Sequence, residues 1–470
     1  MKAYEDILTT RYGGVIPIIR KLYSLKVDEI INKSANDYFP RAKQSKYKYS
    51  DVFLTWIAAA FCGATRIDHV TGLRKDLEVI PGLNVPSHDT MGRMMKSLVK
   101  PTKRADRVTQ EGANENQWDD NVDLNHLLIR LTKQMGGLKE SVEYTLDVDC
   151  TFINTTCQGA NSMKDKNSPG FNPMICLIGN LPVFVNMRNG NSIADFRIKE
   201  CIEQCLDLLD KENIKIKTVR TDGAGYRKEL LTTLGDRGVK FVTASPVNAA
   251  FKKMFNAFDK SAWNKVRIKT AHRDRDCLIG EVNYKMTGTD TPLRIIALRI
   301  PTEDTLQETL CDDELRRRKM VQERLNSLAQ RGLLKKNNKR FHEADWNEVR
   351  GYKYKMIATN DYETPAEELI YFYNQRGESE RQFSFMKQDF GWKYPPFMKM
   401  NENTVFFIIT AIANNIFRAI AEKLNEHIDD IELNARVRRF QKAFIDTVAI
   451  CQDGQNWVFL STKVDFEKIK

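Results

Sequence analysis

The stretch YNQRGESERQFSFMK, Tyr373 to Lys387, sets Tyr373, Arg376, Glu380 and Lys387 at intervals of three, four and seven residues. Seven residues make nearly two helical turns. On one continuous helix Tyr373, Glu380 and Lys387 therefore share a face, with Arg376 one turn from both Tyr373 and Glu380. A carboxylate flanked by cations and an aromatic can hold a metal ion and a phosphate together. A solvated salt-bridge ladder uses the same spacing, and spacing alone favours that reading. Two more carboxylates shift the balance: Asp149 within a strand and Asp222 at a strand end. Magnesium prefers hard oxygen ligands, one or two carboxylates per ion with water and substrate phosphate. Two such ions, roughly 3.5–4 Å apart, activate a water or sugar hydroxyl and stabilise the leaving oxygen of a phosphodiester. That chemistry needs carboxylates from separate elements converging on one sheet edge. Either aspartate alone is an ordinary turn or cap residue; with Glu380 they form a candidate phosphoryl-transfer set.

The elements that must position these acids are readable along the chain. SVEYTLDVDCTFINT alternates Val142, Tyr144, Leu146, Val148, Cys150 and Phe152 with Glu143, Thr145, Asp147, Asp149 and Thr151. It reads as a strand with both aspartates on one face and an apolar opposite face. FNPMICLIGNLPVFVNMRNG reads as a hairpin turning at Gly179-Asn180. An amphipathic helix follows in SIADFRIKECIEQCLDLLDKE, then a strand, IKIKTVRTDGAGY, that runs out at Asp222 into a glycine-bracketed turn. RKELLTTL is a helix and GVKFVTASP a strand. A meander followed by alternating helix and strand implies a mixed sheet with helices on its faces, an α+β or mixed α/β fold. Such sheets place ligands at strand ends and switch points. From 251 to 345 the alternation gives way to a β-rich, basic insertion, and YKYKMIATN restores a strand before the helix of Glu380.

Residues 1–140 read as mostly helical. A short helix, a turn and a capped helix bearing Arg93 and Lys96 fit a helix-turn-helix, and an ordinary helical bundle fits equally. The polar run QEGANENQWDDN reads as a linker, and residues 451–470 as a tail.

Composition sets the class. The chain has 470 residues, 42% hydrophobic, and a net charge of +11 from 73 basic and 62 acidic side chains. That is globular, long enough for several structural units, and basic enough to suggest polyanionic partners. Nine cysteines without a CxxC pair exclude a complete disulfide framework and argue against zinc, leaving reduced cytosolic thiols as the simpler account. The N-terminus carries acids where a signal peptide needs an apolar core. The most apolar helix, around TVFFIITAIANNIF, holds asparagines and reads as too short to span a bilayer. A soluble intracellular protein is expected.

In these motifs the sequence resembles bacterial insertion-sequence transposases with a DDE, ribonuclease-H-like catalytic domain. Their C-terminal signature of Tyr, Arg, Glu and Lys is matched at every gap by Tyr373, Arg376, Glu380 and Lys387. LDVDCT resembles the first-aspartate strand and maps a ligand onto Asp149, with Cys150 in place of the usual small residue. VRTDGAGY resembles the second-aspartate turn and maps a ligand onto Asp222. MRNGN, Met187 to Asn191, resembles the family's R-x-GN run, and NENTVFFIITAIANNIFR its apolar helix with asparagines. The resemblance spans about residues 50–420.

What the resemblance implies is a cut-and-paste DNA transposase. Asp149, Asp222 and Glu380 would be catalytic and bind two Mg2+ ions, with Mn2+ as substitute, while Tyr373, Arg376 and Lys387 would hold DNA phosphates. It implies a helical DNA-binding region at 1–140 and a catalytic domain in two parts, 141–250 and 346–450, split by the insertion. Partners would be double-stranded DNA at terminal inverted repeats and at the target, and a second copy in a synaptic homodimer, with no membrane role and a cytoplasmic, nucleoid-associated location. Relatives hold a flipped base on an aromatic of the insertion; Trp263 and Trp346 are candidates, with core packing the alternative for each. Two other functions fit the same residues. One is a cellular nuclease or resolvase of the same fold. The other is a DNA-binding regulator derived from a transposase, which predicts a damaged triad, whereas all three acids are present.

Overall fold

A computed structural model describes residues 7–39, 45–109, 112–158, 160–162, 168–269, 274–286, 291–301 and 352–426. Beyond these it describes 428, 431–432, 435–451, 456–460 and 464. The chain divides into two compact units: residues 1–217 with 377–470, and residues 218–376.

The first unit opens with β1 (Leu8–Thr10) and the helices α1 (Val15–Ser24), α2 (Val27–Tyr38), α3 (Tyr49–Phe61), α4 (Val70–Glu78) and α5 (His88–Lys96). Every residue of α3 is buried, so its apolar character runs right round, as befits the central helix of a bundle. Ser87 caps α5, its hydroxyl accepting from Thr90 N at 3.3 Å. Nine residues separate α4 from α5, against the three or four of a helix-turn-helix, so these two helices do not form that motif. The expected linker is not one either. Lys103–Thr109 (β2) and Gly112–Asp119 (β3) pair antiparallel, and Trp118 and Asp119 of β3 pair with the strand carrying Met187 and Arg188.

After α6 (Val122–Gln134) come β4 (Glu143–Cys150), the short strands β5 (Ile153–Asn154), β6 (Asn161–Ser162) and β7 (Pro169–Phe171), then β8 (Met174–Ile178), β9 (Leu181–Arg188) and α7 (Ile198–Lys211). Within this unit the strand order is β4-β8-β9-β3-β2, antiparallel throughout. Alternation sorts its two faces. Ile175, Leu177, Val185 and Met187 join the large helical core. Cys176 points the other way, its Sγ 4.0 Å from Cys201 Sγ of α7. All eight described cysteines are free thiols.

The second unit takes over within β10 (Lys215–Thr221) and contains α8 (Lys228–Asp236), β11 (Lys240–Ala244), α9 (Ala249–Asn256), β12 (Asn264–Lys269), β13 (Asp274–Lys285), β14 (Pro292–Pro301), β15 (Tyr352–Thr359) and α10 (Ala366–Asn374). β10 and β11 run parallel, and β15, β14, β13 and β12 follow as an antiparallel ladder on β11. The described strands of the expected insertion thus extend the sheet of this unit. Its basic stretch at 302–351, and Trp346 with it, lies outside the described residues. α10 packs on β11 and β13 over a core of Val242, Ile268, Ile296, Ile357, Leu369 and Ile370.

The chain returns to the first unit with α11 (Glu378–Asp389) and α12 (Met400–Asn425), and ends its described part with β16 (Val448–Cys451) and β17 (Trp457–Leu460). α12 is 26 residues long, so the sequence-based expectation that it is too short for a bilayer fails on length. It is the one described helix long and apolar enough to cross a membrane, and 94% of its apolar window is buried inside the protein, against α3, α5, α6 and β9. Each fully buried Phe or Ile on it contributes about 1.5–3 kcal/mol. The expected C-terminal tail supplies β17, which pairs with β16, itself paired with β1. Residue 140 marks no break in packing: α1 to α6 share one core with α12.

Candidate active site

Asp149 stands opposite Ile175 of β8. Directly opposed residues share a face, so its side chain lies on the side of the sheet that the helical core covers. The carboxylate is half-buried. Its Oδ1 accepts from Cys150 N at 2.8 Å, and its Oδ2 accepts from the hydroxyl of Ser379 at 3.1 Å. Asp147, two residues earlier on the same face, is 7% exposed.

Ser379 is buried in the first turn of α11, and Glu380, the next residue, is exposed. One hydrogen bond thus ties Asp149 to the helix of Glu380 across 230 residues of chain. The inward stripe of α11 is Ser379, Gln382, Phe383 and Met386, at helical spacing. Gln382 Nε2 donates to Asn414 Oδ1 at 3.3 Å, Asn414 Nδ2 to Asn415 Oδ1 at 2.9 Å, and Asn415 Nδ2 to Thr132 Oγ1 at 2.8 Å and Pro182 O at 2.7 Å. Asn414 and Asn415 of α12 therefore form a polar ladder that braces α11 against α6 and the start of β9.

Ser379 was not among the sequence candidates. The available signal was a hydroxyl on an otherwise inward-facing stripe. A hydrogen bond to a charged group is worth roughly 1.5–3 kcal/mol, and groups that orient a ligating carboxylate change metal affinity about tenfold or more. With Asp149 as the ligand of a divalent cation, Ser379→Ala should raise the magnesium concentration for half-maximal activity on the order of tenfold, and Ser379→Thr should restore it. An unchanged magnesium requirement in the alanine variant would leave the hydroxyl a packing group.

The signature residues do not share one helix. α10 ends at Asn374, Gln375–Gly377 form a 3-10 turn, and α11 begins at Glu378. The single face expected for Tyr373, Glu380 and Lys387 is broken by that turn. Tyr373 packs at the edge of the second unit's core, and Arg376 sits half-buried in the turn. Lys387, in the last turn of α11, donates from Nζ to Phe152 O at 2.9 Å. Its charge thus fixes the segment that leaves β4 just beyond Asp149.

The MRNGN run lies under the same strand end. Arg188 is fully buried, and its guanidinium donates to the carbonyls of Asn172 (2.9 Å), Ile193 (3.2 Å), Ala194 (3.4 Å) and Phe196 (2.6 Å) and to Cys150 Sγ (2.9 Å). Cys150 is half-exposed, a wall for Arg188 more than a core residue. Asn189 Oδ1 accepts from Gln117 N at 3.1 Å and Ser192 Oγ at 2.7 Å, and its Nδ2 donates to Glu115 O at 3.1 Å.

In the second unit Asp222 directly follows β10 and caps a short 3-10 turn, its Oδ1 accepting from Ala224 N at 2.9 Å. A Cβ on Gly225 would fall 1.9 Å from Thr221 Oγ1, so only glycine closes this turn. Trp263 is buried, in ring contact with Phe255, Phe258 and Tyr354, with the Arg299 guanidinium 3.7 Å above its ring. Core packing is its role here.

Among the described residues no three His, Cys, Asp or Glu side chains are gathered to hold a metal ion. The donor chemistry of the first unit still fits a hard divalent cation, which ordinarily takes one or two carboxylates and fills its shell with water and phosphate. Asp149 offers a half-exposed carboxylate oriented by Cys150 N and the Ser379 hydroxyl, and Glu380 an exposed one.

An oriented carboxylate on a strand of the first unit and a second on the helix bonded to it suit metal-assisted phosphoryl transfer. A family model described as "Transposase DDE domain group 1" matches residues 13–310, more than half of the chain, and the chain belongs to that family. It is a DDE transposase, an enzyme of metal-dependent DNA cleavage and transfer. Glu380 lies beyond the matched residues. No curated protein matches the sequence. Among solved structures the chain is similar to a piggyBac transposase in a synaptic complex with hairpin DNA, at 9% identity, over 93% of this chain and 81% of that one, with a TM-score of 0.42.

Proposed function

We propose that this transposase moves a bacterial insertion sequence by cut-and-paste through a ribonuclease-H-like catalytic core, cutting at terminal inverted repeats and rejoining the ends to target DNA. Asp149, Asp222 and Glu380 supply the oxygen ligands for two Mg2+ ions, for which Mn2+ substitutes. Bound there, the ions supply Lewis-acid activation of the attacking oxygen and neutralise charge on the leaving one. Asp149, held by Ser379, presents a fixed carboxylate. Tyr373, Arg376 and Lys387 hold the phosphates of the element's end, the arginine through its planar fork and the lysine as a point charge. Water cleaves the strand whose 3′-hydroxyl then attacks, first the opposite strand to give a hairpin and later the target. Two copies bring the two ends together as a dimer.

The observation that carries this reading is the Asp149–Ser379 hydrogen bond, which unites the strand of one acid with the helix of another. For Asp222 the support is its place at the strand end in a glycine-closed turn. Purified protein with a labelled duplex of the DNA bordering its gene tests it. Strand cleavage is expected with magnesium or manganese, and binding without cleavage with calcium, whose looser geometry misplaces the attacking oxygen. Cleavage that persists in excess chelator, or that is faster on an RNA–DNA hybrid than on this duplex, would refute it.

A further inference from the structure

Within the second unit a buried cation stands two residues before Asp222. Arg220, on β10, is 6% exposed. It pairs in register with Val242 of β11, which joins the core beneath α10. Its side chain therefore lies on the face that α10 covers. The guanidinium donates from Nη1 to the carbonyl of Phe372, and its carbon lies 4.6 Å from the centre of the Phe372 ring. Phe372 stands in the last turn of α10. Gln375 N, the first amide of the turn that carries Arg376, donates to the carbonyls of Phe372 and Tyr373. Arg220 thus holds a carbonyl from which that turn starts.

A helix C-terminus presents carbonyls and the negative pole of its dipole, and it favours a cation in its last turn. α10 has no basic residue there. The cation comes instead from the strand that leads into Asp222. Burying a guanidinium is costly, and an apolar side chain of similar volume commonly replaces a buried charge without loss of stability. What the charged, planar group adds is a fixed placement of the helix end on the strand. The strand end is itself pinned: Thr221 Oγ1 donates to Thr243 Oγ1 at 2.9 Å, and Thr243 Oγ1 to Asp222 O at 2.7 Å. Asp222 and the start of the Arg376 turn are held on one frame, with Arg220 as the link.

Resting on the reading of Arg376 as a phosphate-holding residue, we propose that Arg220 is a positioning residue for Arg376, setting its distance from Asp222 and touching neither DNA nor metal itself. A double-mutant cycle tests this. Affinity for the labelled bordering duplex in calcium is measured for wild type, Arg220→Met, Arg376→Ala and the combined variant. Arg220→Met should bind on the order of tenfold more weakly. In the Arg376→Ala background the same substitution should cost no further affinity. The magnesium concentration for half-maximal cleavage should stay at the wild-type value. Arg220→Lys keeps the buried charge and should lose several-fold, because an ammonium reaches the carbonyl from one point and does not stack on the ring. The cycle is repeated with it, so the answer does not depend on Arg220→Met folding. Unchanged affinity in either folded variant, or an equal loss with and without Arg376, would overturn the assignment and leave Arg220 a structural residue. A raised magnesium requirement with affinity kept would also overturn it, tying Arg220 to Asp222 instead. Wild-type affinity in Arg376→Ala alone would sink the phosphate reading of Arg376, and the role of Arg220 with it.

Discussion

With Asp149, Asp222 and Glu380 as the proposed metal ligands, Asp149→Asn, Asp222→Asn and Glu380→Gln should each lose strand cleavage on the order of a thousandfold, since each would remove several kcal/mol of charge stabilisation that only the reacting state uses. DNA binding stays within a few-fold of wild type, because an amide preserves shape and removes one negative charge. Asp147→Asn is the internal control. It shares the face of Asp149 but is 7% exposed, whereas Asp149 is half-exposed and bonded to Ser379. Single-turnover cleavage of the bordering duplex, with binding measured in calcium, separates the cases. Equal loss for Asp147→Asn and Asp149→Asn would move the ligand to the earlier residue. Full activity in Glu380→Gln, with only a small change in melting, would return the helix of Glu380 to an ordinary charged surface element.

The strand of Asp149 was legible because its two-residue alternation survives in the fold. Leu146 and Val148 are buried, Asp149 faces the helices, and the hairpin turns at Gly179 as its sequence signals. The ends of α10 and α11 were not legible. Tyr373 to Lys387 has the periodicity of one helix, and the turn at 375–377 breaks it without a proline or an N-cap hydrogen bond to announce it. β2 and β3 were missed for a different reason: KRADRVT and GANENQWD carry few apolar residues, so no alternation marks them as strands. Their place in the sheet comes from non-local bonds, such as Asn189 to Glu115 and Gln117. Ser379 was hidden for the same reason. A hydroxyl on a helix has no meaning until the strand it touches is known.

Arg188→Ala should be among the most destabilising single changes in the first unit, costing several kcal/mol, on the order of 3 or more. The guanidinium is fully buried and serves the four carbonyls of Asn172, Ile193, Ala194 and Phe196 together with Cys150 Sγ. Truncation strands those acceptors in a dry cavity, and a stranded buried acceptor costs about 1–3 kcal/mol. Arg188→Lys separates charge from geometry. A lysine keeps the positive charge but presents three donors on a single point, which cannot span Asn172 on one side and Phe196 on the other. It should recover part of the stability and little of the order at the strand end. Cleavage by Arg188→Lys, measured well below its melting temperature, should fall several-fold with DNA affinity retained, because Cys150, the contact of the guanidinium, adjoins the carboxylate of Asp149. Wild-type melting and cleavage in Arg188→Lys would show that any buried cation suffices there, and that the planar fork of Arg188 has no part in setting the strand end.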